Sequence, residues 1–399
     1  MTNTAKHHSP WLILVIMLIS MMAGAMCMNK VSPVLSYMVE DLGITSSAQS
    51  GLLISIFTFT GILLSIPMGV LITKYGTYKT GLFSLLALII GSILGAIAPN
   101  YGVMLVSRLI EGIGLMFLGA IGPAAVAVSF AGRKSGTAMG LLMCYMSFGQ
   151  ILALNLAPIM AENGSWRNFW QFSAVFGIVA LVLWIIFIRG FDDANSGEGE
   201  KVEDSTPTAT ATLSDVMKNG SVWLICITFM IYMLVHFGVF SYLPTYMTQV
   251  GGIDATKAGT LTSIASLVGI PIGILGGVIA DKSGSIKKPL TGTVILFAIL
   301  VAVTPMFSAK SYFLYVLLYG IVAMAEAGLS FTAVTKVVPT VQSAVASATL
   351  NMAQWIGAFL STIVFGALLD AFGWNTTFHV MAAIAVIGVL TSAFNRKLQ

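Results

Sequence analysis

The sequence predicts an all-α membrane protein of two similar six-helix halves with both termini in the cytoplasm. Composition, the number of long apolar runs and a repeat between the halves carry this expectation. Of 399 residues, 57% are hydrophobic and 9% charged, against roughly 25% charged in soluble domains. The lipid bilayer is therefore the expected surrounding. The net charge of +4 is small and scattered, which gives no basis for binding nucleic acid. Cys27, Cys144 and Cys226 lie inside apolar runs without metal-ligand spacing, so neither a disulfide framework nor a metal site is expected.

A helix needs about 20 mostly apolar residues to cross a bilayer. Twelve such runs can be counted: 11–36, 49–73, 80–98, 101–130, 135–160, 168–188, 221–247, 257–280, 289–308, 311–336, 342–369 and 375–394. The first is too long for a signal-peptide core and has no small-residue cleavage site, so it reads as a retained helix. Alternation between the two faces places thirteen Lys and Arg on one side and only Arg167, Lys257 and Lys310 on the other. The basic side is cytoplasmic by the positive-inside rule. Lys30, Arg108 and Lys336 fall within spans and need another explanation.

The expected division is a six-helix bundle over 1–190, a linker over 191–219 and a second bundle over 220–399. The linker carries Asp192, Asp193, Glu198, Glu200, Glu203 and Asp204 before "STPTATAT". It has too little apolar surface to offset its ordering entropy, and a regulatory role stays open. One constant offset, without a gap, superposes Gly43 on Gly251, Gly51 on Gly259, Ser55 on Ser263, Gly61 on Gly269, Gly69 on Gly277, Lys74 on Lys282, Gly76 on Gly284 and Trp166 on Trp374. Eight matches at one offset point to an internal duplication, as in many secondary transporters.

"GGVIADKSGSIKK" brings Gly277, Asp281, Lys282 and Gly284 into the pattern Gly-x-x-x-Asp-(Arg/Lys)-x-Gly-(Arg/Lys)-(Arg/Lys), and "GVLITKYGTYKT" repeats Gly69, Lys74 and Gly76. With "RLIEGIG", "SWRNFW" and "YLPTYM", these stretches resemble the major facilitator superfamily. The resemblance spans the chain except its termini and linker. It implies the major facilitator fold, a transport activity by alternating access and no enzymatic one.

The loop motif can act as a cytoplasmic latch: a carboxylate at a helix end accepts hydrogen bonds from a neighbouring helix N-terminus and nearby cations, while the glycines permit the turn. Its basic residues also fix topology. Where the family pattern has aspartate, the first copy has Thr73, so the latch charge rests on Asp281. Asp281→Asn is accordingly expected to favour inward-facing states more than Thr73→Ala does. Equal accessibility of a cytoplasmic-side cysteine probe in the two variants would count against this.

Lys or Arg at a helix centre costs about 2.5–3.5 kcal/mol on insertion scales. Lys30 follows Asn29 deep in the first run, and Arg108 lies in the fourth with Glu111 three residues on, hence on one helical face. The resemblance implies that the first and fourth helices line a central cavity, placing Lys30, Arg108 and Glu111 around one space. Two cations there face one acid. Arg108 is open to a structural or proton-coupling role as well as to substrate contact. "NKVSP" followed by "EDLGIT" is similar to the first-helix element of organic-anion carriers of the superfamily and of its cyanate-transporter-like branch, with Asn29 and Lys30 at its positions.

Glu326, near the middle of the tenth run, is the other deep acid and shares with Glu111 the candidacy for proton coupling. His236 reads first as a bond between helices and second as a proton relay. Tyr232, Tyr242, Asn351, Gln354 and Trp355 are candidate cavity walls, with Tyr and Trp near span ends open equally to the reading as interface belts.

The expected function is secondary transport of a small organic, carboxylate-type anion, by proton symport or anion exchange. The alternative is proton-driven efflux of a drug-like or other small metabolite. No cofactor is expected, and the protein is expected to work as a monomer in a bacterial inner membrane. No apposed nucleophile and base or phosphate-cradling loop supports an enzyme.

Overall fold

The computed structural model describes residues 9–64, 67–130, 135–191, 215–282, 286–339, 342–395 and 398, and helix is the only regular structure among them. The first apolar run divides into α1 (Pro10–Asn29), a 3-10 turn (Ser32–Val34) and α2 (Leu35–Asp41). Pro33 accounts for the break, since its ring removes a donor and disfavours helical geometry in the residue before it. Then come α3 (Ser47–Leu64), α4 (Pro67–Ala96) and α5 (Tyr101–Ser129). Within α4, the motif glycine Gly76 has φ 76°, so two helices meet there at a turn.

Asn100 starts α5 by accepting the Val103 N–H at 3.0 Å, which satisfies one of the free donors of a helix N-terminus. At about 1.5 Å per residue, α5 is longer than the roughly 30 Å apolar core of a bilayer. The fifth run is interrupted at Cys144 into α6 (Ser135–Met143) and α7 (Tyr145–Glu162), and α8 (Arg167–Phe187) follows. The remaining helices are α9 (Gly220–Gln249), α10 (Ala255–Lys282), α11 (Lys287–Ala302), α12 (Tyr312–Lys336) and α13 (Ser343–Phe394). Gly373, at φ 72°, divides α13 into two helices.

Nine stretches among the described residues are long and apolar enough to cross a membrane. Burial runs the way lipid dictates. On α8, Val175, Val179, Val182 and Ile186 are exposed along one face, while Trp170, Ala174, Gly177, Ala180 and Trp184 are buried on the other. A soluble helix would not leave an apolar stripe unpartnered.

The chain packs as two compact units, one of Met1–Gly43 with Phe59–Asp204 and one of Ile44–Thr58 with Ser205–Gln399. Thus α3 changes unit along its length. In the first unit Arg167 pairs with Asp41, donates to the Ala98 carbonyl at 2.9 Å and lies over the Trp166 ring, whose Nε1 also donates to Asp41. Residues 192–214, which include the linker acids, lie outside the described residues. So do Gly284 and the side-chain surroundings of Gly69, Thr73, Gly277, Asp281 and Lys282. Lys74 of the motif is exposed, its Nζ 5.4 Å from the Tyr75 ring centre.

Candidate functional site

The deepest charges of the first unit form one cluster. The last four carbonyls of a helix have no intrahelical partner, and α1 ends at Asn29. Arg108 of α5 reaches into this gap: Nη1 donates to the Cys27 carbonyl at 2.6 Å and Nη2 to the Met28 carbonyl at 3.1 Å. A guanidinium also suits the negative end of a helix dipole. One turn along α5, Glu111 accepts from both cations. Arg108 Nη1 lies 2.5 Å from its Oε2, and Lys30 Nζ lies 2.5 Å from its Oε1.

Two residues from other helices complete the cluster. Ser92 Oγ on α4 donates to Glu111 Oε1 at 2.7 Å and accepts from Lys30 Nζ at 3.2 Å. The Lys30 ammonium also sits 4.6 Å from the centre of the Trp170 ring on α8, a favourable cation–π distance. Glycine at position 91 makes room for this. A Cβ there would lie 2.5 Å from Glu111 Cγ, so a larger residue would push the carboxylate out of place.

Lys30, Arg108 and Glu111 are all fully buried at 0% exposure. Two positive groups against one carboxylate leave the cluster with one surplus positive charge, held by hydrogen bonds in a site closed to solvent. Such a charge is costly in a bilayer. Asn29, next to Lys30, is half-buried, donates to the Ala25 carbonyl and accepts from Gln150 Nε2 at 3.1 Å.

The second unit holds a separate polar set. Glu326 is fully buried; Ser330 Oγ donates to its Oε1 at 2.7 Å, and its Oε2 has no hydrogen-bond partner among the described residues. Tyr232 is buried, its hydroxyl donating to the Ala323 carbonyl at 2.5 Å. His236 Nδ1 meets the Tyr319 hydroxyl at 2.9 Å, a bond between α9 and α12. Asn351 is exposed, and Gln354 and Trp355 are half-buried along α13. No group of three or more His, Cys, Asp or Glu among the described residues is placed to hold a metal ion.

The structure thus brings Lys30, Arg108 and Glu111 together and keeps Tyr232 and Glu326 in the other unit. Sequence reasoning did not single out Ser92 or Trp170. The first showed only as one hydroxyl in an apolar run, and the second belonged to "SWRNFW" without a role.

A family model described as Major Facilitator Superfamily matches residues 13–362. The "Uncharacterized MFS-type transporter YwfA" of Bacillus subtilis is 26% identical, covering 98% of this chain and 94% of its own. The "Probable nitrate transporter NarT" of Staphylococcus epidermidis is 23% identical over 94% of this chain and 93% of its own. Among solved structures, a D-xylose-proton symporter superposes with TM-score 0.74 at 15% identity, covering 98% of each chain.

Proposed function

Since the chain belongs to the Major Facilitator Superfamily of secondary transporters, we propose that it moves a small organic anion of the carboxylate type by alternating access. Twelve spans, cytoplasmic termini, action as a monomer and residence in a bacterial inner membrane belong to this reading. The observation that carries it is Glu111 shared between Lys30 and Arg108. Glu111 occupies the cations much as a carboxylate cargo would. Protonating Glu111 removes that internal anion and frees Lys30 and Arg108 for the cargo. The cluster then carries one surplus positive charge both before and after, so the desolvation cost of its charge changes little.

Electrical work asks for the same coupling. Bringing one negative charge into a negative-inside cell costs about 2.3 kcal/mol per 100 mV, so a monoanion needs one proton with it or another anion in exchange. Glu111 is favoured over Glu326 as the proton carrier because its charge holds the cations. The relative named for nitrate agrees with an anionic cargo in general. Asn29, Tyr232, Asn351, Gln354 and Trp355 are proposed to supply the uncharged contacts, and Gly69, Lys74, Gly76, Gly277, Asp281, Lys282 and Gly284 the cytoplasmic gating.

The test is uptake across a panel of organic and inorganic anions in reconstituted vesicles, with and without a pH gradient. Uptake selective for anions, driven by a proton gradient or by an opposing anion, is expected. Efflux of cationic or neutral compounds with no response to any anion would replace this reading by drug-like efflux.

A further inference from the structure

Trp170 of α8 is fully buried, and the Lys30 ammonium lies over its ring, 4.6 Å from the centre. The ring is pinned. A Cβ at Gly95 would lie 2.3 Å from its Cδ1, so α4 closes one edge. Trp166 stands edge-on at 5.0 Å and is itself held by its bond to Asp41 at 3.0 Å. All of these residues belong to the first unit.

Packing alone does not ask for tryptophan here. The indole Nε1 is buried and has no hydrogen-bond partner among the described residues, a cost that phenylalanine would avoid. What indole offers beyond phenylalanine is a stronger attraction for a cation over its face. That attraction counts most when Lys30 has no anion. In this structure Glu111 Oε1 lies 2.5 Å from Lys30 Nζ and cancels much of the ammonium's field at the ring. The other groups about Nζ are the Ser92 hydroxyl of α4 at 3.2 Å and the Cys27 thiol of α1 at 3.9 Å, with Arg108 of α5 as a second cation on the same carboxylate. Helix α7 meets α1 there through Gln150 on Asn29. None of these replaces the charge of Glu111 once it is protonated.

We propose that Trp170 is a positioning residue: its face is the seat that holds the Lys30 ammonium in the interval when Glu111 is protonated and no cargo is bound. The empty protonated cluster carries two buried positive charges, and the ring makes that state less costly. The proton can therefore bind before the anion, with Lys30 kept in place to receive it. This rests on the exchange of Glu111 for cargo proposed above.

The first test needs no cargo. Glu111→Gln stands for the protonated acid, and thermal unfolding of Trp170→Phe, Glu111→Gln and the double variant completes a mutant cycle. In the natural background Trp170→Phe is expected to change the unfolding constant by no more than about twofold, because loss of the unpaired N–H offsets the weaker seat. In the Glu111→Gln background it is expected to raise that constant about fivefold, and with Lys30→Met added the excess should vanish. Where Glu111→Gln alone does not fold, Arg108→Gln with Glu111→Gln carries the cycle, since it leaves Lys30 as the single cation of the cluster. Equal costs of Trp170→Phe in all backgrounds would make the ring packing only and overturn the proposal.

The second test is kinetic, with pyruvate and nitrate as probes in vesicles. At acid pH Trp170→Phe should lower KM about fivefold with kcat unchanged, because the anion then relieves a costlier empty state. At alkaline pH KM should not move. A KM raised at every pH would overturn the proposal. The excess in the cycle together with no uptake of any anion would keep Trp170 as the seat of Lys30 and remove the anion reading.

Discussion

Glu111→Gln is expected to destabilise the protein by about 3–5 kcal/mol, because it leaves two buried cations with no counter-charge. In the intact cluster, Glu111 sits 2.5 Å from both Lys30 Nζ and Arg108 Nη1, with all three side chains at 0% exposure. The amide keeps the shape and one acceptor oxygen but not the charge. Lys30→Met should cost less, about 1 kcal/mol: the bonds of its Nζ to Glu111 and Ser92 and the contact with Trp170 are lost, but Glu111 keeps Arg108 and Ser92 as partners and forms a neutral pair with Arg108. The double variant Lys30→Met with Glu111→Gln should recover part of the loss, as Arg108 keeps its bonds to the Cys27 and Met28 carbonyls. Thermal unfolding of the four proteins in detergent measures this order. Lys30→Met proving as damaging as Glu111→Gln would contradict a surplus of positive charge.

The second large effect concerns transport. If the surplus charge receives the cargo, Lys30→Met should cut anion uptake by roughly 100-fold, the scale of losing one partner in a desolvated charge pair, in a protein that still folds. Lys30→Arg should retain uptake and shift preference toward carboxylates, because a guanidinium grips two oxygens at once where an ammonium offers one point charge. Initial uptake rates in vesicles, read beside the melting temperatures, separate the two roles. Uptake unchanged in a folded Lys30→Met protein would make the cluster structural and direct the search for the cargo site to uncharged residues.

How far the sequence could be read depended on distance along the chain. Lys30 and Arg108 were visible because a charge in an apolar run stands out at once, and Glu111 because three residues place it on the face of Arg108. What pattern could not show was closure. The sequence suggested three charges around an open space, whereas the fold has them bonded to one another, with Ser92 and Trp170 sealing the site. Pairings between helices leave no periodic trace, so the Lys30–Glu111 contact could be expected only in outline. Asp370 was less visible still: an acid at the end of an apolar run reads as a loop residue until the N–H groups of Ser47 and Ala48 are found on it. The break of α1 at Pro33 could in turn be rationalised from the ring, but only the folded chain shows that it opens carbonyls for Arg108.

The capping of α3 by Asp370 also sets an order of manufacture. Ser47 and Asp370 are 323 positions apart, and a ribosome adding about 5–20 residues per second needs roughly 15–60 s to cover that distance. For that interval the first turn of α3 lacks the carboxylate that caps it. Its makeup suits the wait: Ser47, Ala48, Ser50 and Gly51 carry no charge and offer nascent neighbours little to seize. The cap forms only once Asp370, just past the eleventh apolar run, is made, so a nascent chain stalled before Asp370 should keep this helix start open to protease, and one released after it should not.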